Sequence, residues 1–147
     1  RLAYRGQLDV QPVDGVVTLT AQQLAAVAPE KLLRFFTSEL GDFVRSAPKV
    51  AREFKFSILE DAAIYDASLT GEKILLQGVT DCCVLEPDGL TILDFKSDHI
   101  KHGEEARRAE IYRGQLDAYA RALSRIFELP VKRRILYFFA TDAAFSV

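Results

Sequence analysis

The chain has 147 residues, 49% hydrophobic and 27% charged, with 8 Gly and 5 Pro, which suits one packed domain and excludes two full domains, a disordered chain or a low-complexity repeat. Its 19 Lys and Arg against 21 Asp and Glu leave a formal net charge of −2, so an anionic partner must be met by a local basic patch rather than by overall charge. No apolar run approaches the ~20 residues of a membrane helix, and the adjacent Cys82 and Cys83 fit neither a mutual disulfide nor a zinc-ligand spacing. A reduced, cytoplasmic setting without a membrane partner is therefore expected.

The sequence contains no Met and opens Arg1-Leu2-Ala3, which is expected of a piece of a longer chain. Thr20 is placed to cap a helix over residues 21–27, and Pro29 and Glu30 open a second helix through Leu32, Leu33, Phe35 and Phe36 that Gly41 is expected to end. Residues 1–50 thus read as a helical N-terminal part that packs without chemistry. From Arg52 the pattern becomes period two, a strand over residues 52–58. Two more strands, 74–85 and 90–97, are joined by Glu86-Pro87-Asp88-Gly89, whose residues suit a tight hairpin turn. Ala109, Tyr112, Leu116, Tyr119, Leu123 and Ile126 then recur every three or four residues, predicting an amphipathic helix over 104–129 that Pro130 stops. Residues 131–140 read as a buried strand. Strand, long helix, strand is a crossover unit with parallel strands, so the fold class is α/β, a mixed sheet flanked by helices, in a single domain spanning 1–147 with its working core at 51–140.

Asp is disfavoured inside strands because its charge must be desolvated, yet Asp81 and Asp94 each fall in one. If the hairpin turns symmetrically about Pro87 and Asp88, paired positions sum to 175, and Asp81 and Asp94 stand directly opposite on one face with Lys96 projecting from it. A three-residue bulged loop would shift the register and separate them. Two carboxylates and a lysine on one patch suit Mg²⁺ or Mn²⁺ and the hydrolysis of a phosphodiester; the competing reading is a structural Asp94–Lys96 ion pair with Asp81 capping a loop. On the helix that follows, Gln115 and Tyr119 lie four apart on one face, where Gln can hydrogen-bond a phosphate or the lysine and Tyr can offer a hydroxyl or a stacking ring. Tyr112 and Leu116 read as core packing.

The series Arg52-Glu53-x-x-Phe56, Gly78-x-x-Asp81, Asp94-Phe95-Lys96-Ser97-Asp98 and Gln115-Leu116-x-x-Tyr119-Ala120-x-Ala122-Leu123 resembles the PD-(D/E)xK nuclease superfamily in its RecB-like branch, and within it the nuclease domains of bacterial ATP-dependent helicase/nucleases of the AddAB type. The resemblance runs from about Lys31 to Ala140. It implies a restriction-endonuclease-like core and a Mg²⁺- or Mn²⁺-dependent exonuclease cutting single-stranded DNA in double-strand-break repair. Residue by residue, it implies that Asp81 and Asp94 bind the metal, that the Phe95 backbone carbonyl completes its shell, that Lys96 is the catalytic lysine, that Gln115 and Tyr119 lie near DNA, and that Glu53 touches metal or supports the site. Its implied partners are ATP-driven helicase domains of the same parent chain and a second subunit of the AddB type.

One departure from the family pattern concerns a further metal ligand, a His in a Gly-Thr-x-x-His helix upstream of the Arg-Glu strand, which has no counterpart in these 147 residues. The two histidines, His99 and His102, follow the lysine strand and read as solvent-facing loop residues. Residues 95–140 hold 10 Lys and Arg against 6 Asp and Glu; Arg107, Arg108, Arg113, Arg121 and Arg125 are expected either to follow a DNA backbone or to pair with Glu104, Glu105, Glu110 and Asp117 at helical spacing. Two other readings compete with the exonuclease: a catalytically silent docking or DNA-binding module of the same fold, and a nuclease of a Cas4-like or phage recombination system.

Overall fold

The computed structural model describes residues 28–147; the cap expected at Thr20 and the helix expected over 21–27 lie outside them. Helix α1 spans Pro29–Phe36, with Pro at its start where no backbone N–H is required. It ends sooner than the sequence suggests. Ser38 caps a separate helix α2, Glu39–Ser46, accepting the Gly41 N–H at 3.1 Å. Gly41 therefore does not stop a helix but sits in the first turn of one, where a Cβ would lie 2.1 Å from the Phe35 carbonyl oxygen. Close approach of two helices, not termination, is what calls for glycine there.

Five strands follow: β1 (Lys49–Asp61), β2 (Lys73–Glu86), β3 (Gly89–Lys96), β4 (Val131–Phe138) and β5 (Ala143–Ser146), with helix α3 (Glu105–Phe127) between β3 and β4. They form one mixed sheet in the order β1-β2-β3-β4-β5, parallel between β3 and β4 and antiparallel elsewhere. The α/β crossover is as the periodicity predicts. The β2–β3 hairpin closes on the pair Glu86↔Gly89 and keeps that register to Cys82↔Leu93, so the turn is the symmetrical two-residue one. β1 and β2 are longer than their sequence patterns, and together they run as a two-stranded arm well beyond the end of β3. Short 3-10 turns at the arm's tip, Ala62–Ile64 and Ala67–Leu69, are capped by the side chains of Asp61 and Asp66. β5 is absent from the sequence pattern because Ala143-Ala144-Phe145-Ser146 has neither length nor β-branched residues; pairing with β4 makes it a strand.

Helices cover both faces of the sheet. On one, Cys83, Leu85, Leu90, Ile92, Leu136 and Phe138 pack with Ala109, Leu116, Ala122 and Leu123 of α3. On the other, Cys82, Val84, Leu93, Ile135 and Tyr137 pack with Phe35 of α1 and Val44 of α2. The neighbouring cysteines thus enter opposite cores, which explains why both are free thiols. Burial pushes Cys82 up to about 11 and Cys83 to about 12.

In β1 and β2 strict alternation fails at a place that bears on the site. Ala51 and Phe54 both pack on the α3 face although they are three residues apart. In β2, Cys83 is on that face, and a Cβ on Gly78 would meet Phe56 and Tyr119 there, five residues away. Between these points lies Glu53, at φ 47°, in the left-handed region that non-glycine residues rarely adopt. The β1–β2 ladder skips it, running from Arg52↔Cys82 to Phe54↔Thr80. Glu53 and Asp81 therefore face each other at a break where both strands exchange faces.

Candidate active site

The hairpin register puts Asp81 and Asp94 one step beyond the pair Cys82↔Leu93, which is the juxtaposition expected from the sequence. Asp81 Oδ2 accepts the Phe95 backbone N–H at 2.8 Å. Asp94 is buried, 3% exposed. Its Oδ2 receives no hydrogen bond of ordinary geometry from the described residues, and the Lys96 ammonium stands in ion-pair contact with it. Burial pushes the Asp94 carboxyl above its ordinary value, Lys96 opposes that push, and the charge of Asp81 adds to it. The two carboxylates stand across the hairpin from each other in its register.

Lys96 joins this pair to helix α3. Its Nζ donates to Gln115 Oε1 at 3.4 Å, and Gln115 Nε2 donates to the Tyr119 hydroxyl at 3.0 Å. The Tyr119 ring is fixed edge-on against Phe56, centroids 5.2 Å apart. Gly78 leaves the space those two rings occupy. One turn before Gln115, the Tyr112 ring lies under the lysine, with Nζ 3.9 Å from its centroid. Tyr112 is half-buried against the α3-side core, as its spacing suggests, but sequence reasoning missed its contact with the lysine. The available signal was its place three residues before Gln115 and seven before Tyr119 on one helix face.

Asp98, the last residue of the Asp94-Phe95-Lys96-Ser97-Asp98 motif, has no role predicted from the sequence and lies in the loop after β3. The Tyr112 hydroxyl lies 2.9 Å from both of its oxygens, and Arg108 Nε donates to Oδ1 at 2.7 Å. Although burial opposes it, the hydrogen bonds from Arg108 and Tyr112 hold this carboxyl below its ordinary value.

Glu53 is exposed and stands in register with Asp81 at the ladder break. His99 and His102 are exposed, as expected. The arginines of α3 depart from expectation. Only the Arg113–Glu110 pair forms among those anticipated along the helix. Arg108 binds Asp98, Arg121 binds Glu60, Arg125 donates to the Leu59 carbonyl at 2.9 Å, and Asp117 is paired with Arg134 of β4. The excess charge of this helix is therefore largely spent on tying it to the loop after β3 and to the β1–β2 arm, because tertiary partners were available that helical spacing does not reveal.

Among the described residues, no three His, Cys, Asp or Glu side chains gather into a group that could hold a metal ion, so the donors at this point are the two aspartates. Both offer hard oxygen atoms, and one of these, Asp94 Oδ2, is buried without a regular hydrogen bond. That chemistry fits a divalent cation of the Mg²⁺ or Mn²⁺ kind. No helix among the described residues is long and apolar enough to cross a membrane.

Comparison with known proteins shows the family of this chain. The family model of the PD-(D/E)XK nuclease superfamily matches residues 6–145. The A subunit of the ATP-dependent helicase/nuclease of Desulforamulus reducens is 42% identical over 124 residues, covering 82% of this chain and 10% of the relative. Proteins of the same name from Desulforudis audaxviator and Bacillus cereus (strain AH820) are 40% and 41% identical over 129 and 131 residues, covering 86% and 82% of this chain. The chain spans only 10–11% of the length of these relatives.

Proposed function

The chain belongs to the PD-(D/E)XK nuclease superfamily, and on that premise we propose that it is the nuclease domain of a bacterial ATP-dependent helicase/nuclease, an exonuclease that hydrolyses single-stranded DNA in double-strand-break repair. The observation that carries the reading is the joining of buried Asp94, Lys96 and Asp81 into one cluster, with Gln115 and Tyr119 lined up behind the lysine. The helicase motor and the second protein of the complex belong to the reading through the helicase/nuclease relatives, which are far longer than this chain.

Asp81 and Asp94 would hold the ion, with the Phe95 carbonyl completing its shell and Glu53 supporting from the neighbouring strand. When bound, a Mg²⁺ or Mn²⁺ ion polarises a phosphoryl oxygen and makes water a better nucleophile. Lys96 places a cationic donor beside that point, where it offsets charge developing on the phosphate or orients the attacking water. Gln115 restricts the lysine to one direction, and Tyr119 fixes Gln115. The Phe95 N–H holds Asp81 in place, so neither carboxylate has to be reordered when DNA arrives.

The full-length protein incubated with Mn²⁺ or Mg²⁺ and end-labelled single-stranded DNA should release nucleotides from an end, and Asp94→Ala should abolish this. Duplex DNA and RNA in parallel reactions test the substrate class. The two-carboxylate donor set favours a second reading, a silent module of the same fold that binds metal weakly. Absence of cleavage under all these conditions would select it.

A further inference from the structure

Lys96 is held from three directions. A carboxylate, Asp94, and an amide oxygen, Gln115 Oε1, occupy two of them. The third is the face of the Tyr112 ring, 3.9 Å from Nζ to centroid, well within the range over which a ring quadrupole attracts a cation. The lysine side chain is only 14% exposed, so water screens little of that attraction. The ring is itself anchored: its hydroxyl binds Asp98, which is gripped in turn by Arg108 one helical turn earlier on α3. Arg108 also approaches the Tyr112 hydroxyl, at 3.4 Å.

We infer that Tyr112 is a positioning residue for the reaction, its ring face holding the Lys96 ammonium at the carboxylate pair while Asp98 and Arg108 brace the ring. The inference rests on the nuclease reading for its consequence but not for its geometry. Without the ring's attraction the four-carbon stem keeps only the Asp94 ion pair and the 3.4 Å bond to Gln115 to hold its ammonium in place. The hydroxyl contributes bracing only, so the two parts of the side chain are separable by substitution.

The test compares, in the full-length protein, Tyr112→Phe with pentafluorophenylalanine at position 112, which nearly keeps the ring's shape but turns its face from negative to positive. Acylation of Lys96 by acetic anhydride, followed by mass spectrometry, requires no activity. The fluorinated ring should raise the Lys96 labelling rate several-fold over Tyr112→Phe, and equal rates would overturn the inference. With end-labelled DNA, the fluorinated ring should lower kcat roughly tenfold at unchanged KM, the size of effect expected when a catalytic group is slightly misplaced, while Tyr112→Phe, which keeps the ring face and loses only its tether to Asp98, should lower it by distinctly less. A loss in Tyr112→Phe as large as in the fluorinated variant would instead assign the effect to the hydroxyl tether and overturn the role of the ring face. Wild-type protein that does not cut defeats the nuclease reading, and the labelling comparison then still decides whether the ring holds the lysine.

Discussion

The backbone N–H of Phe95 donates to the carboxylate of Asp81 at 2.8 Å. One bond therefore fixes the strand bearing Asp94 and Lys96 against the neighbouring strand at the point where the hairpin ladder stops and the carboxylate–lysine cluster begins. Asp81 serves both as a structural acceptor and as a proposed metal ligand, and the two roles separate by substitution.

Asp81→Asn retains an oxygen for the Phe95 N–H but not the charge; Asp81→Ala retains neither. Loss of an acceptor from a part-buried amide costs about 1–2 kcal/mol. Denaturant titration should show Asp81→Ala destabilised by that amount and Asp81→Asn by much less, with both inactive on DNA. Equal stability of the two variants would show that the hydrogen bond does not hold the strand.

Asp94 carries a pH signature. Its folded-state carboxyl lies above the ordinary value of 3.8, first because of burial. A raised acid makes the folded protein bind more protons than the unfolded one, so its cost is absent below 3.8, grows as pH rises through the interval up to the folded value, and persists above it. In metal-free protein, the melting temperature of Asp94→Asn relative to wild type should therefore increase from pH 4 to pH 7. Added Mg²⁺ or Mn²⁺ should stabilise wild type and leave Asp94→Asn unmoved, since only a ligand for the folded state raises its stability.

The opposite sign is expected at Glu60, at the far end of the β1–β2 arm. Glu60 is 3% exposed and binds Arg121 of α3 at 2.8 Å, and Tyr65 donates to it at 2.6 Å. The hydrogen bond from Arg121 holds the Glu60 carboxyl below its ordinary value of 4.5 despite burial. This stabilisation is present above 4.5 and is lost as pH falls below it. Arg121→Ala strands a buried carboxylate and should destabilise the protein by about 3 kcal/mol at pH 7, with the loss shrinking on acidification. A pH-independent loss would mean that packing of the arginine stem, rather than the ion pair, holds arm to helix.

Gly78 connects the arm to the site. A Cβ there would lie 2.6 Å from Phe56 Cζ and 2.8 Å from Tyr119 Cε1, so either ring must move. Gly78→Ala should destabilise by about 1–3 kcal/mol, the usual range for overpacking, and should lower cleavage by displacing Tyr119 from Gln115. Full activity in this variant would argue that the Tyr119 position is immaterial to the reaction.

Local periodicity and turn chemistry determined much of this protein. Alternation marked the strands, the three-to-four spacing marked α3, and Glu86-Pro87-Asp88-Gly89 marked a tight turn, although the strand pairing alone chose the two-residue register that sets Asp81 opposite Asp94. Each of these signals depends on neighbours within a few residues, and such patterns are written directly in the chain. The series of short motifs likewise carried the superfamily, because its chemistry rests on residue types at close spacing.

The tertiary structure alone decided the rest. Gly41 tolerates no Cβ because the end of α1 passes over it, a contact between helices that no local pattern encodes. The exchange of faces at Glu53 needs two strands to break step together. β5 exists only because β4 offers it a ladder. Arg108, Arg121 and Arg125 of α3 found Asp98, Glu60 and the Leu59 carbonyl instead of helical neighbours, and Tyr112 came to lie under Lys96 because α3 returns across the strand it had just left. All of these are meetings between residues distant in the chain, where packing and desolvation choose among partners that sequence spacing leaves equivalent.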